Sequence, residues 1–187
     1  MIRLNLGCGN DVRPDYTNVD FRAVRPEVQV ADLSTLPWMW TDNSVQEVMM
    51  LDFLEHFEFA KAKPILLECR RILHTGGLLV VQVPDMQICA RAIVGMSIPC
   101  NQCGEEMPTE DENGHCWRCH QDWDDVKEVA IKRMYGGQDF PGNYHMNGFT
   151  KSSLHALLTN TGFVGQKFVE EDHMRDNWNL KLVARKF

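Results

Sequence analysis

Two Cys-x-x-Cys pairs, Cys100/Cys103 and Cys116/Cys119, stand twelve residues apart in the stretch CNQCGEEMPTEDENGHCWRC. Four thiolates at this spacing suit a tetrahedral zinc ion, with Zn–S near ~2.3 Å, and a closed four-sulfur shell leaves no position open for catalysis. Gly104 and Asn113-Gly114 supply turn formers where a knuckle needs them. Disulfides and an iron–sulfur centre are the alternatives, and His115 and His120 are the alternative ligands beside the second pair. Between residues 100 and 125 eight acidic side chains face one basic one, Arg118, so the segment would repel a phosphate backbone. It reads as an insertion over 99–122, pinned by structural zinc because so short a stretch cannot build its own core. Its expected role is to wall a substrate pocket or to carry a homodimer contact.

A second constellation opens the chain. LNLGCGN at 4–10 is a strand pattern followed by Gly7-x-Gly9, and glycines after the first strand of an open α/β sheet let the backbone approach a ligand closely. Asp20 ends the next strand pattern, where a carboxylate can accept both hydroxyls of a ribose, and Asp32 follows the third, within reach of an adenine amino group. The structural alternatives are a tight turn, a strand-end cap and an Asx-turn or N-cap. A dinucleotide site fits poorly. Val12 stands where the third glycine of G-x-G-x-x-G belongs, and the acidic residue comes only eleven positions after Gly9.

These residues need a scaffold, and the hydrophobic pattern supplies one. Strands are expected at 2–6, 16–20, 28–31, 45–51, 78–83, 163–169 and 179–185, and helices at 58–74, 85–98, 123–135 and 151–161. Thr75-Gly76-Gly77 should stop the first helix, and Asp85 and Thr150 should cap later ones. Strand and helix alternate as in a parallel sheet covered on both faces. The 187 residues suffice for one core, so we expect a single domain over 1–187 with the cysteine segment inserted in it.

Composition narrows the partners. Net charge is −7 with scattered Lys and Arg, which disfavours a nucleic-acid substrate. No apolar run reaches eighteen residues, so no membrane span is expected. The start, MIRLNLGCG, lacks the pattern of a signal peptide. Seven cysteines, an odd number, fit reduced thiols and a cytoplasmic protein.

The ordered set LNLGCGN, NVD (18–20), ADLSTLPW, DNSVQEVMMLDFLEHF (42–57), LLECRRILHTGGLLVVQVPD (66–85) and the late GFT…L…L…TGF (148–163) resembles the class I S-adenosylmethionine-dependent methyltransferases of the broad type-11 group. The resemblance covers nearly all of the chain except about 95–125. It implies a Rossmann-like, seven-strand sheet, mostly parallel, with its last strand antiparallel. It also implies cofactor contacts at Gly7, Cys8 and Gly9, the ribose on Asp20, the adenine near Asp32 and Leu33, and the methionine end at Leu51 and Asp52. Asn5, Phe21 and His56 complete the expected cofactor set. Two departures stand out: Asn5 replaces an acidic residue of many relatives, and the helix between the first two strands is cut to a turn over 10–15.

Methyl transfer from a sulfonium needs alignment above all, and a base only when the acceptor must lose a proton. His56, and Tyr144 with His145 in the loop GNYHMNGF, are the candidates for catalysis or acceptor contact; structural roles are the alternative for each. Glu55 is as well placed to cap the following helix. The acceptor is expected to be a small molecule, a sugar or glycan, or a protein. The rival reading is a non-catalytic module of this fold that docks a protein through its acidic insertion.

Overall fold

The computed structural model describes residues 1–100, 103–107, 116, 118, 126–169 and 178–187. In chain order the strands are β1 (Ile2–Leu6), β2 (Thr17–Asp20), β3 (Val28–Val30), β4 (Val45–Leu51), β5 (Leu73–Pro84), β6 (Ile98–Pro99), β7 (Glu106–Met107), β8 (Phe163–Phe168) and β9 (Asn179–Lys186). The α-helices are α1 (Phe59–Ile72), α2 (Met86–Ile93), α3 (Val126–Tyr135) and α4 (Lys151–Asn160). Seven strands form one sheet in the order β3-β2-β1-β4-β5-β9-β8. The pairs among β1 to β5 are parallel, and β9 runs antiparallel to both its neighbours. The order reverses between β1 and β4, the point where an open α/β sheet leaves a crevice at its carboxyl edge.

Alternation along the strands sorts the faces. Leu4, Leu6, Val48, Met50, Leu79, Val81, Val83, Leu180, Leu182 and Ala184 share one core with Ile65, Leu66, Cys69 and Ile72 of α1 and Leu154 and Leu158 of α4. The intervening positions include Arg3, Asn5, Glu47, Gln82, Lys181 and Arg185. On that face Asn5, Met49 and Val80 are nonetheless buried, although neither 7–16 nor 21–27 contains a helix. In place of a crossover helix, Asn5 Nδ2 donates to Asp11 O at 2.7 Å and to Asn18 Oδ1 at 3.0 Å, while Asn18 Nδ2 donates to Arg13 O at 2.9 Å. This amide network satisfies buried polar groups that a helix would otherwise cover.

Two ends follow the sequence closely and one does not. Asp85 caps α2 by accepting from Gln87 N, and Thr150 caps α4 in a capping box with Ser153. The glycines after α1, expected as a plain stop, lie inside β5. Pairing with β4 jumps there from Val45↔Leu73 to Glu47↔Leu78, and Gly76 has φ 80°, the left-handed geometry that lets a strand carry a bulge.

The described part of the insertion is the ribbon β6–β7. Gly104 N donates back to Cys100 O at 2.9 Å and Cys100 N to Glu105 O at 2.7 Å, with Gly104 at φ 72°. The ribbon is tied to the domain by a second, smaller core of Cys89, Ala92, Ile98, Ala130 and Trp178. Trp178 Nε1 donates to Pro99 O at 2.8 Å, closing that core's polar edge. No helix among the described residues is long and apolar enough to cross a membrane.

Candidate active site

The carboxyl ends of β1 to β4 enclose a cavity of about 630 Å³, a volume typical of small-molecule and cofactor sites. Its floor is the turn after β1. Gly7 and Gly9 adopt φ 66° and 48°, and the amides of Gly7 and Cys8 donate to Val19 O at 2.8 and 3.1 Å. Nothing lies within 4 Å of where a Cβ on Gly9 would project, so the backbone there is open to a ligand. Asp20 is 4% exposed; its Oδ2 accepts from Gly9 N and its Oδ1 from Arg22 N, each at 2.9 Å. Two carboxylate oxygens have lone pairs to spare for two further donors. Burial and the nearby Asp20 push the Cys8 thiol up to about 11, which keeps it protonated and unsuited to nucleophilic work.

Farther along the wall, Asp32 accepts from Ser34 N at 2.8 Å in an Asx-turn, and the Ser34 side chain together with its amide holds the carboxyl below the ordinary range. Leu33 and Phe53 supply apolar surface, and Asp52 sits after β4 with φ 50°. Strain of this kind, on a residue that is not glycine, is tolerated where a site fixes it. Asn179 Nδ2 donates to Asp52 Oδ1 at 3.2 Å, and Gln82 Nε2 lies 3.3 Å from Oδ2.

A second cavity adjoins the first. Asp52 and His56 line both; Glu55, His145, Val129, Lys132 and Arg133 line the second. Glu55 is 1% exposed, and neither of its carboxylate oxygens has a hydrogen-bond partner among the described residues. Burial, reinforced by Asp52, raises its pKa well above the usual carboxylate range. His56 Nδ1 lies 3.0 Å from Tyr144 O, and His145 Nδ1 lies 2.6 Å from Arg133 O. The two rings meet edge to face with centroids 4.9 Å apart. Burial lowers the pKa of both imidazoles, favouring their neutral forms.

A family model described as a methyltransferase domain matches residues 8–81. Among solved structures, an S-adenosylmethionine-dependent methyltransferase from Thermotoga maritima, described as a possible histamine N-methyltransferase, aligns at TM-score 0.57 and 15% identity, covering 100% of this chain and 82% of that one. An S-adenosylmethionine-dependent methyltransferase from Archaeoglobus fulgidus aligns at TM-score 0.59 and 14% identity, with 99% and 86% covered. The 1,6-didemethyltoxoflavin-N1-methyltransferase of Burkholderia thailandensis, solved with bound 1,6-didemethyltoxoflavin and S-adenosylhomocysteine, aligns at 0.53 and 15%, with 99% and 70% covered. The fold is the S-adenosylmethionine-dependent methyltransferase fold. Comparison with curated proteins gave no match.

Within this methyltransferase fold, Gly7, Cys8, Gly9, Asp20, Phe21, Asp32, Leu33, Leu51, Asp52 and His56 all line the first cavity. Asn5 does not. It is committed to the amide network under the β1–β2 connection, so it stabilises the turn from behind. The Tyr144 side chain is exposed and lines neither cavity; its backbone carbonyl is what meets His56. His145 reaches the second cavity beside His56. Glu55 does not cap α1: the residue at that N-cap is Glu58, without a side-chain cap bond.

Several wall residues of the first cavity carry no signal in the sequence. Arg22 lies over the Phe140 ring at 3.6 Å from its centroid, and Phe140 and Gly142 line the first cavity with Gln82 and Lys181. Phe140 and Gly142 belong to the glycine- and asparagine-rich loop before α4. Its polarity marked it as a lid, but nothing local shows which of its residues fold inward.

Cys100, Cys103 and Cys116 bring one sulfur each within 4.8 Å of one another. Cys103 Sγ and Cys116 Sγ are 3.6 Å apart. Cys119, with His115 and His120, lies outside the described residues. Neither cavity is lined by a described residue of the ribbon; α3, just after the insertion, supplies the wall instead.

Gly7 carries a sharp prediction. A Cβ there would stand 2.2 Å from Phe53 Cδ2, at a φ of +66°. Gly7→Ala should therefore displace the Phe53 ring from the cavity wall and lower the thermal midpoint by several degrees, for a cost of about 1–3 kcal/mol. Differential scanning fluorimetry with and without S-adenosylhomocysteine reads both effects. An unchanged midpoint and ligand shift would mean that the turn is not held as described.

Proposed function

We propose that the protein is an S-adenosylmethionine-dependent methyltransferase acting on a small molecule, a sugar or glycan, or a protein. The observation that carries this reading is Asp20: a buried carboxylate at the end of β2, fixed by the amides of Gly9 and Arg22, facing a cavity of cofactor size. S-adenosylmethionine, when bound, supplies a methyl group already activated on a sulfonium. The chain's own part is to bind and align. Asp20 accepts the ribose hydroxyls, Asp32 and Leu33 bound the adenine, Phe21 and Arg22 flank the mouth, and Leu51, Asp52 and His56 bound the end where the methyl is presented. The net charge of −7 supports acceptors other than nucleic acid. Three clustered thiols support a structural zinc completed by Cys119 and serving as a brace for the insertion.

Isothermal titration of the full chain with S-adenosylmethionine and S-adenosylhomocysteine tests the reading. Saturable binding at micromolar concentration is expected. Absence of binding to either at millimolar concentration would overturn it.

A further inference from the structure

We infer that Glu55, His56 and His145 form a site for a divalent transition-metal ion that receives the methyl acceptor through an oxygen atom. The acceptor half of this inference rests on the methyltransferase reading; the ion site does not.

The Glu55 carboxylate is buried without a counter-charge among the described residues. It is 1% exposed and both oxygens are without partners among the described residues. A buried carboxylate left so costs several kcal/mol, roughly, unless a proton or a cation neutralises it. A proton alone would leave a hydroxyl donor with no acceptor at hydrogen-bond distance among the described residues. Structural capping is ruled out as its purpose, since α1 starts from Glu58. The residue is also held in place: its backbone carbonyl accepts from Met146 N at 2.8 Å and Asn147 N at 3.1 Å. The late loop is thereby locked onto the turn after β4.

The two histidines complete a donor set. Each ring sets its Nδ1 against a backbone carbonyl, Tyr144 O for His56 and Arg133 O for His145. A carbonyl can only accept, so in His145 Nδ1 carries the proton and Nε2 the lone pair. The His56 ring sets Nδ1 against Tyr144 O and also faces the backbone of Asp52 and Gly142, so an ion must compete with those carbonyls for its Nε2. Fixing the tautomer through a backbone carbonyl is how metal-binding imidazoles are ordinarily oriented. One ligand atom from each of Glu55, His56 and His145 lies within 4.8 Å of the others. Two imidazoles and one carboxylate suit first-row divalent ions and leave coordination positions open.

Position gives the site a use. Asp52 and His56 line both cavities, so an ion on these residues would sit where the cofactor cavity meets the second one, of about 390 Å³. An ion there would lower the pKa of a bound hydroxyl. That hydroxyl would lose its proton to water, and its oxygen lone pair would form the new C–O bond. The methyl–sulfur bond would break at the same time, its electron pair staying on sulfur as a neutral thioether. Oxygen-bearing acceptors, including sugars and phenols, fit such a site better than thioethers or carbon nucleophiles.

Cobalt(II) is the probe, because thiolate and imidazole–carboxylate sites differ in its absorption spectrum. Titrating the full chain with Co²⁺ should give, besides intense thiolate charge-transfer bands, a separate set of weak d–d bands for about one ion per chain. Glu55→Gln and His145→Ala should each weaken that second class by at least about tenfold. The thiolate bands and the affinity for S-adenosylhomocysteine should stay as in the parent, and both variants should remain folded. Absence of the second class from protein that binds S-adenosylhomocysteine would overturn the ion site, and so would unchanged binding in both variants. Second-class Co²⁺ binding by protein that does not take S-adenosylhomocysteine would uphold the ion site and overturn the cofactor reading.

Discussion

Asp20→Ala is expected to weaken S-adenosylhomocysteine binding by roughly 100-fold, the loss of two hydrogen bonds from ribose hydroxyls to a charged acceptor at about 1.5 kcal/mol each. The carboxylate is 4% exposed, so its bonds to a ligand would be little screened by water. Alanine also removes the acceptor for Gly9 N and Arg22 N, and a fall in the thermal midpoint should accompany the loss of affinity. Asp20→Asn separates the two effects. It keeps the shape of the side chain and one of the two acceptor oxygens, so one amide bond and part of the stability should return while ribose binding remains impaired. Calorimetric titration checks the first quantity and a circular dichroism melt the second. Native-like affinity in a folded Asp20→Ala protein would place the ribose elsewhere in the cavity.

Why Asp20 could be found from sequence while Glu55 could not comes down to the range of the forces that fix each. Asp20 ends a short alternating strand eleven residues after Gly9 of the Gly-x-Gly turn, and each feature is written in its own few neighbouring residues. The same holds for the strand at 45–51 and the caps at Asp85 and Thr150, where the deciding contacts span a few residues. Glu55 lies between Leu54 and His56, just ahead of α1, a setting in which a carboxylate ordinarily caps. Met146 and Asn147, some ninety positions later, close on it by donating to its backbone carbonyl. Asn5 errs in the opposite direction. It occupies a cofactor-facing slot by analogy, but the missing crossover helix recruits it to satisfy Asn18 and Asp11 instead. The inward turn of Phe140 onto Arg22 is likewise a tertiary fact with no local signature.

The insertion and the second cavity are mechanically connected, which raises the stakes of the cysteine cluster. α3 supplies Val129, Lys132 and Arg133 to that cavity, and Arg133 O holds the His145 ring. The same helix buries Ala130 against Cys89, Ala92 and Ile98, and Ile98 pairs with Met107 in the ribbon. A brace on the ribbon would therefore set the position of His145 through α3 without touching the acceptor.

Removal of the proposed zinc should show this. Elemental analysis of purified protein should give at least about one zinc per chain, with the thiolate site as its tightest class. The strands of the ribbon are two residues each, far too short to hold together alone. The buried side chains at its centre are Cys100, Met107 and Cys116, and structural zinc sites contribute about 10–16 kcal/mol of apparent binding energy to small domains at neutral pH. Much of that would go to ordering the ribbon itself. If only about 3–5 kcal/mol reaches the α2–α3 packing, chelation or a Cys100→Ser/Cys103→Ser double substitution should lower the thermal midpoint by roughly 10 °C. Affinity for S-adenosylhomocysteine should change little, because none of the described ribbon residues lines that cavity. The second-class Co²⁺ site at Glu55, His56 and His145 should weaken together with the α3 packing, since Arg133 O orients one of its rings. Zinc-free protein that is folded, with an unchanged midpoint, would remove the brace and with it the link from the cysteines to the acceptor side.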